Sequence, residues 1–405
     1  MASEILSRRS RHVFNALLEE ESIARGIEAN GNKVLHLNAG DPTAFFPTPK
    51  YTIEAYKRAL DMGKTAYAAP EGLIELREAI AARYKRKYRV SASYDDVLVT
   101  QGVSEALDFI NQAVINPGDY AVLFKPYYPL YPIFLYNSEG LPVFERYYES
   151  EGWNINPEML ERALRKAKKK PKYMLITNPN NPTGTVLNRK VLEDIVGLAN
   201  EHDMLIISDE IYDEIIFGKA KFTSIAQIAK GVPYAVLNGM SKAYDATGLR
   251  LGYVLMPEND KKSKAVKQKL AQYAQARLSA NTPAQYAFAS ALNRARGHEA
   301  ELAKMVKEIE ARALLITKLL NETEYFDAVE PNGAFYVFPK VNMHLLSIKN
   351  DKEFVTKLLE EEHVMLSRGS GFGEEGHVRF IALPQKDILI QAINKIIRFC
   401  GRHRK

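Results

Sequence analysis

Between residues 95 and 255 the sequence alternates short apolar runs with stretches of helical periodicity, which restricts the chain to an α/β architecture. Residues 96–100, 120–124, 173–177, 204–208, 234–238 and 250–256 predict strands, and their near-continuous apolar character suits burial on both faces of a sheet. Residues 189–201 between two of them predict a helix with Val191, Ile195 and Leu198 on one face. Four polar strings each follow directly after a strand: Gly102-Val103-Ser104, Asn178-Pro179-Asn180-Asn181-Pro182-Thr183-Gly184, Asp209-Glu210-Ile211-Tyr212 and Ser241-Lys242. Open α/β sheets bind ligands outside the carboxyl ends of their strands, so the four strings predict one shared pocket.

Composition sets the limits. A chain of 405 residues exceeds one ordinary core and predicts two or three domains. Hydrophobic residues at 46% and charged residues at 26% fit a globular protein, and no apolar run is long enough to cross a bilayer. Met1-Ala2-Ser3-Glu4-Ile5-Leu6 lacks a basic segment leading into an apolar one, so a cytoplasmic location is expected. Cys400 is the single cysteine, which excludes an internal disulfide and a multi-cysteine metal site. His298-Glu299 starts like a zinc-protease helix, but Leu302 stands where the second histidine belongs, so no metal is expected. The net charge of +6 gathers in residues 165–170 and 401–405 without aromatic platforms or a recognition helix, which argues against nucleic acid. The first cluster reads as the solvated end of a helix that Pro171 stops.

The chemistry concentrates at Ser241-Lys242-Ala243-Tyr244-Asp245-Ala246-Thr247-Gly248-Leu249-Arg250. A lysine that attacks an aldehyde as a neutral amine needs a shielded pocket or a nearby cation to lower its pKa. Arg250 offers a permanent charge with a fork shaped for phosphate oxygens. Together the two suit a phosphorylated aldehyde cofactor, pyridoxal 5′-phosphate; the bland alternative is a pair of surface charges beside a glycine loop. Gly102-Val103-Ser104 opens a helix whose free N–H groups attract an anion, although a serine cap alone is commoner. Two prolines around Asn180-Asn181 fix a rigid loop from which Asn181 donates into the pocket. Asp209, at the end of an apolar strand, is costly without a partner, and a pyridinium N–H or a structural ion pair supplies one.

At these residues the sequence resembles the class I aminotransferases of fold-type I, nearest in appearance to the alanine aminotransferase branch. The likeness runs through Gly40, Tyr67, Gly102-Val103-Ser104, Tyr128, Asn181, Asp209, Tyr212, Ser241, Lys242, Arg250 and Arg379. It implies a large domain with a seven-stranded, mostly parallel sheet and a small α+β domain. The expected boundaries are an N-terminal segment 1–48 packing with the small domain, a large domain 49–290 and a small domain 291–405. Lys242, Asp209 and Tyr212 are then the catalytic residues, with Asp209 on the cofactor's ring nitrogen and Tyr212 with Asn181 on its phenolic oxygen. Tyr128 stacks on the ring, and Gly102, Val103, Ser104, Ser241 and Arg250 surround the phosphate. Gly40, Asn181 and Arg379 meet the substrate, Arg379 through its α-carboxylate. Tyr67 reaches the phosphate of a neighbouring subunit, which implies a homodimer.

The resemblance further implies transfer of an amino group from an L-amino acid, best matched by alanine, to a 2-oxo acid, best matched by 2-oxoglutarate. Aspartate or aromatic donors, or a lyase on the same scaffold, remain alternatives. Arg277 and Arg368 are the cations considered for a distal carboxylate. Gly239 departs from the family, where a phosphate-binding serine is common. Gly371-Phe372-Gly373-Glu374-Glu375-Gly376 fits the dinucleotide pattern formally, but it precedes a strand rather than a helix and is set aside.

Overall fold

A long apolar strand with every residue covered needs neighbours on both edges and packing on both faces, and the centre of this protein supplies them. The structure is a computed structural model that describes residues 5–13 and 19–405. Eight strands form the main sheet: β1 (Val97–Thr100), β2 (Tyr120–Lys125), β3 (Leu141–Tyr148), β4 (Asn154–Ile155), β5 (Tyr173–Thr177), β6 (Leu205–Asp209), β7 (Tyr234–Gly239) and β8 (Gly252–Leu255). Their spatial order is β1-β8-β7-β6-β5-β2-β3-β4. The five strands β7, β6, β5, β2 and β3 run parallel, β8 is antiparallel to both its neighbours, and β4 is antiparallel to β3.

Every residue of β1, β5, β6 and β7 is buried. Alternate residues serve opposite faces: Met174, Ile176, Ile206 and Val236 join one core, while Leu175, Leu205, Ile207 and Leu237 join the other. Fully burying each such side chain contributes about 1.5–3 kcal/mol, so the sheet is the most rigid support available for groups at its rim.

The mostly parallel sheet agrees with expectation, with one strand more than the seven anticipated. The addition is the two-residue β4 at the edge. Strand β3 was absent from the sequence reading because Pro142, Glu145 and Arg146 interrupt its apolar pattern; it lies near the sheet edge, with Leu141 and Phe144 exposed. The sequence carries a continuous helical pattern from Pro283 to Asn321, yet the structure has two helices, Thr282–Asn293 and Ala295–Asn321, because the backbone turns at Arg294. Periodicity does not register a one-residue break of this kind. The helix Pro157–Lys166 stops before the lysine run, since the Ala167 N–H caps the Leu164 carbonyl; Lys168, Lys169 and Lys170 lie beyond it. The sequence of residues 6–29 predicts a helix; the described parts are a 3-10 turn at Arg8–His12 and a helix at Glu21–Ala29, and residues 14–18 fall outside the described residues.

The two ends of the chain meet. Leu35–His36 pairs in parallel with Val364–Met365, and the Ile381 N–H donates to the Leu37 carbonyl at 3.1 Å. Tyr336–Val337, Ser367–Arg368 and Val378–Ile381 form a three-stranded antiparallel sheet that carries Tyr336 and Arg379.

One buried ion cluster ties the helix Ile74–Tyr88 to the loop after β6. Arg83 donates to Asp213 and Glu214, both at 2.6 Å, and the Tyr88 hydroxyl donates to Asp213 at 2.5 Å. All four side chains are buried. Arg83→Leu leaves two carboxylates without their shared cation and is expected to lower the free energy of unfolding by about 3–5 kcal/mol in urea titrations. A loss no larger than the ~1 kcal/mol of a surface pair contradicts this reading of the cluster.

Candidate active site

The polar strings do converge at one rim of the sheet. They border a cavity of about 380 Å³ that also receives residues from the three-stranded sheet and from the segment around Gly40. Of the residues singled out in the sequence, Gly40, Val103, Ser104, Tyr128, Asn181, Asp209, Tyr212, Ser241, Lys242, Arg250 and Arg379 line it.

Lys242 follows β7 with Met240 and Ser241 between, and its Nζ donates to the Gly40 carbonyl at 2.6 Å. Burial lowers its pKa to about 8; the Arg379 and Arg250 charges push the same way, against Asp41. A lysine in this state is half neutral near pH 8, which is what a nucleophilic amine requires.

Asp209 closes β6 and is buried; its Oδ2 accepts from the Tyr131 hydroxyl at 2.7 Å and its Oδ1 from the Ile211 N–H at 3.2 Å. Burial raises its pKa to about 6, partly offset by those two donors. Such a carboxylate gains from a cationic N–H placed in the cavity.

Gly102 and Arg250 explain one another. A Cβ on Gly102 would lie 2.6 Å from Arg250 Nη2, and the Gly102 φ of +76° is one that glycine adopts freely. The guanidinium therefore lies against the first turn of the helix Gly102–Val114, where N–H groups have no partner within the helix. Two positive features facing the same space call for an anion between them. At Gly239, a Cβ would meet the Leu251 carbonyl oxygen at 2.6 Å, so this backbone has no room for the serine common in relatives.

Arg379 is enclosed by neutral groups. Its Nη1 donates to Asn181 Oδ1 at 2.9 Å, and Nη2 donates to the Asn38 carbonyl and, at 3.4 Å, to Ser367 Oγ. The rings of Tyr336 and Phe372 lie 4.5 and 4.6 Å from its guanidinium carbon. Nε has no partner, and burial pulls the pKa below the usual arginine value. Among the described residues no carboxylate is within ion-pair distance, so an incoming carboxylate would meet an uncompensated cation.

Three expectations need correction, those for Gly102, Arg277 and Arg368. Gly102 shapes the wall behind Arg250 and does not itself line the cavity. Tyr67 is 79% exposed and lies outside the cavity of its own chain. Arg277 is held by the carbonyls of Pro70 and Val99 at 3.1 and 3.2 Å, away from the cavity. Arg368 is paired with Glu19 and Glu20 and is likewise absent from the lining.

Sequence reasoning overlooked other lining residues, among them Asn38, Asp41, Tyr131, Thr247 and Tyr336. Thr247 stands inside the string 241–250, and Asp41 and Tyr131 lie close to Gly40 and Tyr128, so a signal existed. Burial works to raise the Asp41 pKa, yet donors from Thr43 and Thr247 outweigh it and hold it below the ordinary value. Residues 334–338 read in the sequence as strand-like, which gives no sign of a polar role for Tyr336, but its hydroxyl lies 2.8 Å from that of Tyr212.

Comparisons with known proteins agree with this geometry. Residues 32–394 match the family "Aminotransferase class I and II". An aspartate aminotransferase of Bacillus subtilis is 34% identical over 384 residues, 94% of each chain. The glutamate-pyruvate aminotransferase AlaA of Haemophilus influenzae is 33% identical, over 94% of this chain and 93% of that one. The alanine aminotransferase structure from Pyrococcus furiosus superposes with a TM-score of 0.93 at 38% identity, covering 98% of this chain and 100% of that one. With a sheet rim, a buried lysine and an anion cradle arranged as they are, the chain belongs to the class I and II aminotransferases, enzymes that depend on pyridoxal 5′-phosphate.

Proposed function

We propose that this aminotransferase takes L-alanine as amino donor and 2-oxoglutarate as acceptor, and works as a cytoplasmic homodimer. The observation that carries the donor is the charge inventory of the cavity. Its cations are Lys242, Arg250 and Arg379, and each has a function to fill in any aminotransferase; none is left over for a donor side-chain carboxylate. A methyl side chain requires none. The dimer reading rests on Tyr67, which is exposed and lies outside its own cavity, free to reach a partner's phosphate site. The cytoplasmic reading rests on the single, buried cysteine, which leaves the fold independent of an oxidising compartment. No helix among the described residues is long and apolar enough to cross a membrane. We also read residues 49–290 as one unit, and 291–405 together with 1–48 as the other, with the cavity between them.

The residues present fit the cofactor on structural grounds: the guanidinium over a helix N-terminus suits a phosphate, and the buried Asp209 suits a protonated ring nitrogen. When bound, pyridoxal phosphate supplies an aldehyde carbon for amines and a ring that draws electrons from the neighbouring carbon. Arg250, Ser104, Ser241 and the Val103 region hold the phosphate, Tyr128 covers the ring, and Asp209 keeps the ring nitrogen protonated. Tyr212 donates to the phenolic oxygen, and Asn181, whose Oδ1 is engaged by Arg379, has its amide Nδ2 left to donate beside it. Arg379 and the Gly40 segment fix the substrate α-carboxylate, which orients the Cα–H bond toward Lys242. Lys242 Nζ then removes the Cα proton as base and delivers it as acid. Its lowered pKa allows both tasks near neutrality.

Lys242→Ala is expected to retain bound cofactor by absorbance while turnover falls by about 10²–10⁴-fold. Turnover close to the parent's rejects Lys242 as the base. A second test uses pH. Because the neutral amine captures the aldehyde and the Lys242 pKa is lowered to about 8, capture by cofactor-free protein should accelerate with pH up to about 8 and level off above it. Stopped-flow absorbance reads this, and a rate still climbing toward the ordinary lysine range contradicts a lowered pKa. For the donor, kcat/KM for alanine with 2-oxoglutarate should exceed that for aspartate and for aromatic amino acids. A preference for aspartate overturns the proposed substrate, and release of ammonia in place of transfer indicates a lyase.

A further inference from the structure

Tyr336 has no part in the proposed mechanism so far, yet it touches three groups that do. It is buried on the strand Tyr336–Val337, whose register sets Val337 opposite Phe380, next to Arg379. Its hydroxyl is 2.8 Å from the Tyr212 hydroxyl. Its ring faces the Arg379 guanidinium at 4.5 Å. Its hydroxyl oxygen also occupies the space a Cβ on residue 40 would need, at 2.3 Å, so the glycine at that position and the phenol at 336 are matched. The carbonyl of the same Gly40 accepts from Lys242.

A phenylalanine would fill the same volume and keep the face toward Arg379. The hydroxyl therefore needs its own explanation, because a buried polar oxygen is unfavourable unless bonded. Its partner is Tyr212, and a tyrosine hydroxyl has one proton to give and an oxygen that can accept. Once Tyr212 gives its proton to the cofactor's phenolic oxygen, the Tyr212 oxygen is left to accept, and Tyr336 lies at hydrogen-bond distance to donate. Consecutive hydrogen bonds of this kind polarise and strengthen one another. We infer that Tyr336 is a positioning residue of the transamination: its hydroxyl donates to Tyr212 and thereby aims the Tyr212 proton at the cofactor's phenolic oxygen. This rests on the proposed placement of Tyr212.

The test uses the holoenzyme without substrate and follows the visible absorbance of bound cofactor against pH. A donor to the phenolic oxygen stabilises its anion, so weakening that donor raises the pH midpoint. Tyr336→Phe should raise the midpoint by roughly half a pH unit, the scale of one net hydrogen bond felt through another. Tyr212→Phe should raise it further. The double variant should show no more than the Tyr212→Phe shift, because Tyr336 acts only through Tyr212. An unchanged midpoint in Tyr336→Phe, or shifts that simply add in the double variant, overturns the inference. So does a Tyr336→Phe protein that loses cofactor or its thermal transition, since the hydroxyl is then structural. An unchanged midpoint in Tyr212→Phe, or a parent chain that binds no pyridoxal phosphate, counts instead against the underlying placement of Tyr212 or of the cofactor.

Discussion

Three cations in one cavity, none of them within ion-pair distance of a carboxylate among the described residues, are the constraint around which this protein is organised. Lys242, Arg250 and Arg379 are satisfied instead by carbonyls, an amide oxygen and aromatic faces. Neutral partners stabilise a buried guanidinium less than a carboxylate does, so Arg379 keeps part of its potential directed at the cavity, whereas Arg250 is exposed and partly screened by solvent. The three acids that line the cavity are each engaged by other donors, Glu21 by the Asn38 amide. Asp209 is occupied by Tyr131 and Ile211, and Asp41 by Thr43 and Thr247. A ligand with a phosphate at one end and a carboxylate at the other therefore gives these cations ion-pair partners that the described residues do not.

Holding like charges close together requires a frame that resists their repulsion. The frame has two parts with different physics. Asp209 is the last residue of β6, and Lys242 follows the end of β7 within a few residues, so their backbones inherit the rigidity of fully buried strands. Tyr212 lies instead on a loop, and the following residues, Asp213 and Glu214, are fastened to the helix Ile74–Tyr88 through Arg83. The buried ion cluster thus fastens the loop that carries Tyr212. On the opposite wall, Tyr336 and Arg379 share a short sheet, and stacking of the guanidinium on the tyrosine ring makes their positions interdependent.

This division explains what the amino-acid sequence revealed and what it hid. Strands β5, β6 and β7 were legible because burial on both faces writes a continuous apolar run into the chain. The residues at their ends were legible for the same reason, since a polar string after such a run stands out. Strand β3 was not, because an edge position tolerates Pro142 and charged residues. Tyr336 was hidden by its own chemistry: in a buried strand a tyrosine reads as apolar, and only the meeting with Tyr212, 124 positions away, reveals the hydroxyl. Arg368 misled in the opposite direction. Its charge suggested a partner for a distal substrate carboxylate, whereas that charge is spent on Glu19 and Glu20.

That use of Arg368 bears on which substrates the site accepts. Its two glutamates immediately precede Glu21, which lines the cavity and accepts from Asn38 Nδ2 at 3.3 Å. The Asn38 carbonyl in turn accepts from Arg379, so Arg379 and Glu21 are linked through the one residue Asn38. A substrate carboxylate beyond the one held by Arg379 meets a wall of the same sign, at a cost that low-dielectric surroundings increase. On the proposed reading, alanine avoids that cost by having no second charge. 2-Oxoglutarate can offset it only with a cation brought from the partner protomer, and because donor and acceptor occupy one cavity in turn, the choice of both then becomes a property of the dimer.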